Sequence, residues 1–181
     1  MPVKMLRPAP LQTLEAFYTR SRLKLPEFET LKGCELPEPY RSLLAHDGDM
    51  TPTLEKFHRG PVHLRVLRRS VTEEALAREV VLVLDRDERP VEFGAIAIGL
   101  NLFMPAARDE ILEGYLPLGS ILHKHGIRHV SRPKAFFRIL ADRRIGRALK
   151  VKAATELYGR CNRLLDSRGR TLAEIVEILP L

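Results

Sequence analysis

Arg78-Glu79-Val80-Val81-Leu82-Val83-Leu84, then Asp85-Arg86-Asp87-Glu88-Arg89-Pro90, then Val91 to Leu100, is the stretch on which the fold is decided. An unbroken apolar run behind an Arg-Glu pair reads as a strand buried on both faces. The charged run closing on proline is a turn, and Val91 to Leu100 is the return strand of a hairpin. Gly94 inside that return marks a bulge or the close approach of a ligand.

Upstream, Val62, Leu64 and Val66 alternate with His63, Arg65 and Leu67, the pattern of a strand with one wet face. Downstream, Ala135 to Leu140, Ala154 to Leu165 and Thr171 to Leu179 read as strands, the last two joined by the turn Asp166-Ser167-Arg168-Gly169. Arg143 to Lys150 is ambiguous and fits a helical connection. Two helix pairs flank the central hairpin. In the first, Tyr40, Leu43 and Leu44 stand at helical spacing before a stop at Gly48; Thr51 then serves as N-cap with Pro52 at the first helical position, so Met50 lies at the bend. In the second, Pro105 to Glu113 ends at Gly114 and Leu118 to Lys124 ends at Gly126, with Leu116 to Gly119 between them. Hairpin-paired strands with segregated helices predict an α+β fold on a single antiparallel sheet of five or six strands. Residues 1–35, rich in proline, predict a poorly ordered arm with a short helix around Leu11 to Phe17; residues 36–181 predict the domain proper.

Size and charge narrow the function classes. The 181 residues suit one core, and with 45% hydrophobic and 29% charged residues the composition is that of a globular protein. Gly94 and Gly99 interrupt the longest apolar stretch, so no membrane span is expected. Met1 to Pro8 has a positive charge but no apolar segment behind it; no secretory signal is read, and the cytoplasm is the expected location. Cys34 and Cys161 are too few for a disulfide framework or a zinc knuckle and read as structural thiols. The net charge of +7 favours anionic partners, but the basic residues are spread from Arg65 to Arg170 and aromatics are only 6%, which argues for a small anion and against nucleic acid.

Four separated segments then stand out in order: Asp49-Met50-Thr51 followed by Leu54-Glu55-Lys56-Phe57; Arg78-Glu79 opening the apolar strand; Leu116-Pro117-Leu118-Gly119; and Glu177 in the last strand before Pro180. Together, over about Leu36 to Pro180, they resemble the chorismate pyruvate-lyase family, which eliminates pyruvate from chorismate to leave 4-hydroxybenzoate. The resemblance implies a six-stranded antiparallel sheet whose inner face holds the ligand beneath two helix-turn-helix flaps. It also implies a cofactor-independent lyase, with chorismate as substrate, a hydroxybenzoate as product, and a link to quinone biosynthesis.

Residue by residue, the resemblance assigns Arg78 to the ring carboxylate, Glu177 to the 4-position oxygen and the proton movements of elimination, and Met50 and Leu118 to ligand contacts from the two flaps. The chemistry suits these residue types. A guanidinium fork can donate two parallel hydrogen bonds to a carboxylate, and an acid among apolar neighbours is readied for proton work. Plainer readings exist for each: Arg78 as a strand-end arginine snorkelling to solvent, Glu177 as a solvent-facing strand residue, Met50 and Leu118 as ordinary core. Glu174 competes with Glu177. The two point to opposite faces of a regular strand, so one of them can face a pocket. His123, His125 and His129 lack the spacing of a metal site and read as surface histidines, so no metal and no cofactor is expected. Domains of the same architecture in transcriptional regulators bind small molecules without catalysis, which leaves an aromatic-acid binder as the alternative function.

Overall fold

The computed structural model describes residues 11–181; residues 1–10, which belong to the expected arm, lie outside the described residues. Strands β1 (Phe28–Leu31), β2 (Val62–Val71), β3 (Ala75–Leu84), β4 (Pro90–Gly99), β5 (His129–Leu140), β6 (Glu156–Asp166) and β7 (Thr171–Leu179) form one sheet in the order β1-β5-β6-β7-β4-β3-β2, and every neighbouring pair is antiparallel. Helices α1 (Gln12–Arg20), α2 (Tyr40–Leu44), α3 (Met50–His58), α4 (Pro105–Glu113), α5 (Leu118–Lys124) and α6 (Arg143–Leu149) complete an α+β architecture of the chorismate lyase-like type. The sheet has seven strands where six were expected. The additional one is β1, whose four residues pair with the outer side of β5 from Phe28↔Ile139 to Leu31↔Phe136.

Alternation along the strands divides the sheet into two chemically different faces. On one, Val81 and Val83 of β3, Phe93 and Ala95 of β4, Cys161 of β6 and Val176 and Ile178 of β7 form a dry core under α1 and α6. Leu11, Leu14 and Tyr18 from the N-terminal region are buried in that core, so described residues 11–31 are packed on the sheet through α1 and β1. Arg143 to Leu149 is helical, as its apolar spacing allowed, and places Ile145 and Leu149 in the same core.

Close packing on this face leaves Gly159 without room for any side chain. A Cβ on Gly159 of β6 would sit 2.4 Å from the Glu177 carbonyl oxygen and 2.5 Å from Phe137 Cζ. Because one of these neighbours is backbone, it cannot swing away. Gly159→Ala is expected to lower stability by about 1–3 kcal/mol, measured as a fall in the denaturant midpoint with the slope preserved.

The opposite face carries the two helix pairs. Helices α2 and α3 cover Leu82, Leu84, Val91 and Leu179 with Leu43, Leu44, Met50 and Leu54. Helices α4 and α5 cover Leu76, Ile96, Ile98 and Leu164 with Ala107, Ile111, Leu118 and Leu122. The first pair departs from expectation at its bend. Helix α3 begins at Met50, one residue before the expected Thr51 cap, and Asp49 holds the N-cap position. Its carboxylate bonds His129 Nε2 at 2.9 Å in place of a helix N–H. Among the described residues no helix is long and apolar enough to cross a membrane.

Candidate functional site

Between these two apolar clusters, the strands bring a polar strip to the surface of the sheet. The register explains its composition. Val80 pairs with Gly94, Gly94 with Glu177, and Glu177 with Arg160, so these four form one row across β3, β4, β7 and β6. The adjacent row is Arg78, Ile96, Ile175 and Asn162. Leu82 and Glu92 lie in the row on the other side.

Above this strip is a narrow cavity of about 70 Å³, floored by Arg78, Val80, Gly94, Asn162 and Glu177 and roofed by the starts of α3 and α5, where Met50 and Leu118 meet it. At roughly 10–15 Å³ of such space per water molecule, it has room for about five to seven waters. That matches a small organic acid rather than a polymer. All four residues singled out in the sequence, Met50, Arg78, Leu118 and Glu177, line this one cavity. Glu174 does not. It lies on the opposite face of β7 and pairs with Arg163 at 2.6 Å.

Arg78 is 2% exposed. Its Nη2 donates to the Leu116 carbonyl at 3.3 Å, while Nε and Nη1 have no partner among the described residues. Burial pulls the guanidinium down from its ordinary value to about 10, still well above neutrality, so it stays charged. A buried cation with open donors and no counter-ion is an incomplete arrangement that an anion would complete.

Glu177 is differently placed from a free acid. Its Oε2 accepts from Nε of Arg160, a residue wholly excluded from solvent. The remaining guanidinium nitrogens of Arg160 donate to the carbonyls of Leu44, His46 and Gly48 at 3.2, 2.9 and 3.1 Å. Arg160 therefore ties the turn between α2 and α3 to the carboxylate on the cavity floor. Sequence reasoning did not identify it, although a charged residue between Gly159 and Cys161 in a buried strand is the same signal that drew attention to Glu177.

A second missed residue is Glu92, 5% exposed and also on the cavity wall. Burial first, and the Glu177 carboxylate second, push its carboxyl well above the ordinary carboxylate range, against a smaller pull from Arg160. Its sequence signal is a single acid within the apolar return strand Val91 to Leu100. Cys161 faces away from the cavity, and burial pushes its thiol up to about 12, which keeps it an unreactive core residue.

Of the three histidines expected at the surface, His123 is exposed, while His125 and His129 are more engaged. His125 meets Glu110 at 3.1 Å and His129 meets Asp49 at 2.9 Å, each partly buried. The Asp49–His129 contact links the start of α3 to the start of β5 at the edge of the cavity.

Comparison with known proteins gives a structural answer only. No family model and no curated protein matches the sequence. Among solved structures, the effector domain of PhnF from Mycobacterium smegmatis superposes with a TM-score of 0.56 at 17% identity, over 73% of this chain and 88% of that one. A structure of PhnF from the same organism gives 0.55 at 14% identity over 92% and 93% of the two chains. The possible transcriptional regulator YydK from Bacillus subtilis gives 0.55 at 10% identity over 94% and 92%. At these identities the likeness is one of fold.

Proposed function

We propose that this chain binds a small aromatic carboxylic acid in the cavity between the sheet and the two helix pairs, as a ligand-responsive domain. The observation that carries this reading is Arg78, a buried guanidinium with two open donor nitrogens and, among the described residues, no carboxylate paired with it. A planar carboxylate would accept both bonds and cancel the charge. The apolar side chains of Met50, Val80, Leu118 and Ile175 supply walls for a ring. Methionine adapts its flexible thioether to such a surface. The solved structures of like fold include an effector domain and a possible transcriptional regulator, which supports binding in preference to catalysis.

A second reading is the lyase itself: elimination of pyruvate from chorismate, in which the ether C–O bond breaks, the ring loses a proton and becomes aromatic. Arg78 would clamp the ring carboxylate and Glu177 would handle the ring oxygen and the proton. Its support is that Glu177 and Glu92 place two carboxyl groups on the same cavity as Arg78. Against it, Glu177 is already committed to Arg160. A cytoplasmic location and supply of hydroxybenzoate for quinone synthesis belong to this reading.

Calorimetric titration with 4-hydroxybenzoate is expected to show one site, with Kd on the order of 10 μM for a ligand of this size. A coupled pyruvate assay on purified chorismate separates the two readings. Saturable binding without pyruvate release supports the binder, turnover supports the lyase, and no binding of any aromatic carboxylate rejects both.

A further inference from the structure

The Glu92 carboxyl lines the cavity, and neither reading gives it a role of its own. It is almost wholly buried, and its Oε2 has no partner among the described residues. The space beside it exists because position 94 is glycine: a Cβ there would lie 3.1 Å from Val80 Cγ2 and 3.2 Å from Glu92 Oε1. Glu92 stands four positions along the sheet from the row of Arg78, since Leu82 is its partner on β3. In extended chain this is about 13 Å between backbone positions, which side chains reaching inward shorten to the length of a small ring acid.

The charged groups around Glu92 cannot neutralise it. From β7 it faces Glu177, and from β6 Arg160, whose nitrogens are committed to Glu177 and to three backbone carbonyls. On β3 the neighbouring side chains are Val80 and Leu82, with Arg78 at the far end of the cavity. At the roof, Asp49 is occupied by His129.

We propose that Glu92 acts as an uncharged carboxylic acid whose hydroxyl donates a hydrogen bond to a ligand oxygen at the end remote from Arg78, making it the residue that distinguishes an oxygen-bearing ring from a bare one. This rests on the reading that Arg78 takes the carboxylate. Burial and the adjacent Glu177 keep the proton on Glu92. A site built to hydrogen-bond a substituent rejects the analogue lacking it, because its buried polar group is then left unpaired.

Two substitutions test this in the full chain with 4-hydroxybenzoate and benzoate as probes. Glutamine keeps a donor and carries no charge, so Glu92→Gln should hold the preference for 4-hydroxybenzoate over benzoate within about threefold of the parent. Glu92→Leu should reduce that preference by about 10-fold or more. Equal losses in the two variants would show that the negative charge is what the ligand needs, and no loss in either would show that Glu92 does not contact it; both overturn the proposal.

A ligand-free measurement keeps the inference separable from the aromatic-acid reading. The fold holds a proton on Glu92 that the unfolded chain releases near its ordinary value of 4.5. The parent therefore loses stability as pH climbs from that value toward the folded one, and a glutamine cannot take part in this loss. Glu92→Gln should melt above the parent at pH 8, with the gap narrowing toward pH 5. A gap independent of pH overturns the proposal whether or not 4-hydroxybenzoate binds, whereas failure of the parent to bind counts against the aromatic-acid reading alone.

Discussion

Arg78→Met is expected to fold at least as stably as the parent and to bind 4-hydroxybenzoate about 100- to 1000-fold more weakly. The two halves of this expectation have the same cause. Holding the guanidinium out of water lowers it from its ordinary value to about 10, which corresponds to roughly 3 kcal/mol against the charged form in the fold. Both folded and unfolded chains carry the charge below pH 10, so the penalty is constant through the neutral range and methionine removes it. Against this stand the lost bond to the Leu116 carbonyl and a small change in packing. Ligand binding suffers because a carboxylate brought to a cavity lined by methionine would be buried without a counter-charge, a loss of about 3–4 kcal/mol at such sites. Paired thermal melts and titrations check both halves. A variant that binds as tightly as the parent removes Arg78 from the recognition of the ligand.

Arg160→Met, which removes the partner of Glu177 on the cavity floor, should lower stability by about 3–5 kcal/mol. It leaves the Glu177 carboxylate buried without its partner and strips donors from the carbonyls of Leu44, His46 and Gly48. The double variant Arg160→Met with Glu177→Leu should recover part of this loss, because replacing both members of a buried pair by apolar groups is far less harmful than removing one. Urea unfolding of the three proteins tests the point. Equal stability of parent and Arg160→Met would mean that the turn between α2 and α3 is not anchored through this side chain.

What the chain declared in advance was local. The hairpin of β3 and β4, the edge strand β2 and both helix pairs follow from periodicity, proline and glycine placement, and each of these signals is contained within about ten residues. Arg78 and Glu177 were singled out by the resemblance to the chorismate pyruvate-lyase family, since the local sequence alone left plainer readings open for both, and alternation limited Glu174 and Glu177 to opposite faces. What stayed hidden depends on distant partners. Phe28-Glu29-Thr30-Leu31 is too short and too evenly mixed to announce a strand, and it becomes one because β5 offers an unpaired edge. The partners of Arg160 are carbonyls 112 to 116 positions away, a distance no pattern in the sequence spans. Glu92 was passed over because a single acid in a strand usually faces water; its burial follows from the helix pairs that close over that face. Thr51 was expected as the cap of α3, and the helix instead starts at Met50 with Asp49 at the N-cap, its carboxylate bonded to His129.

The sheet carries an acid–guanidinium pair on each side: Glu177 with Arg160 facing the cavity, Glu79 with Arg144 facing α1. Glu79 and Glu177 belong to strands two apart and to opposite sides, which separates their carboxyl groups by more than about 10 Å with β4 between them. At that spacing, free-energy changes from substitutions are additive. An engineer could therefore reshape the floor of the binding chamber for another acid and independently repair stability from beneath, by changes around Arg144, without either set of edits disturbing the other.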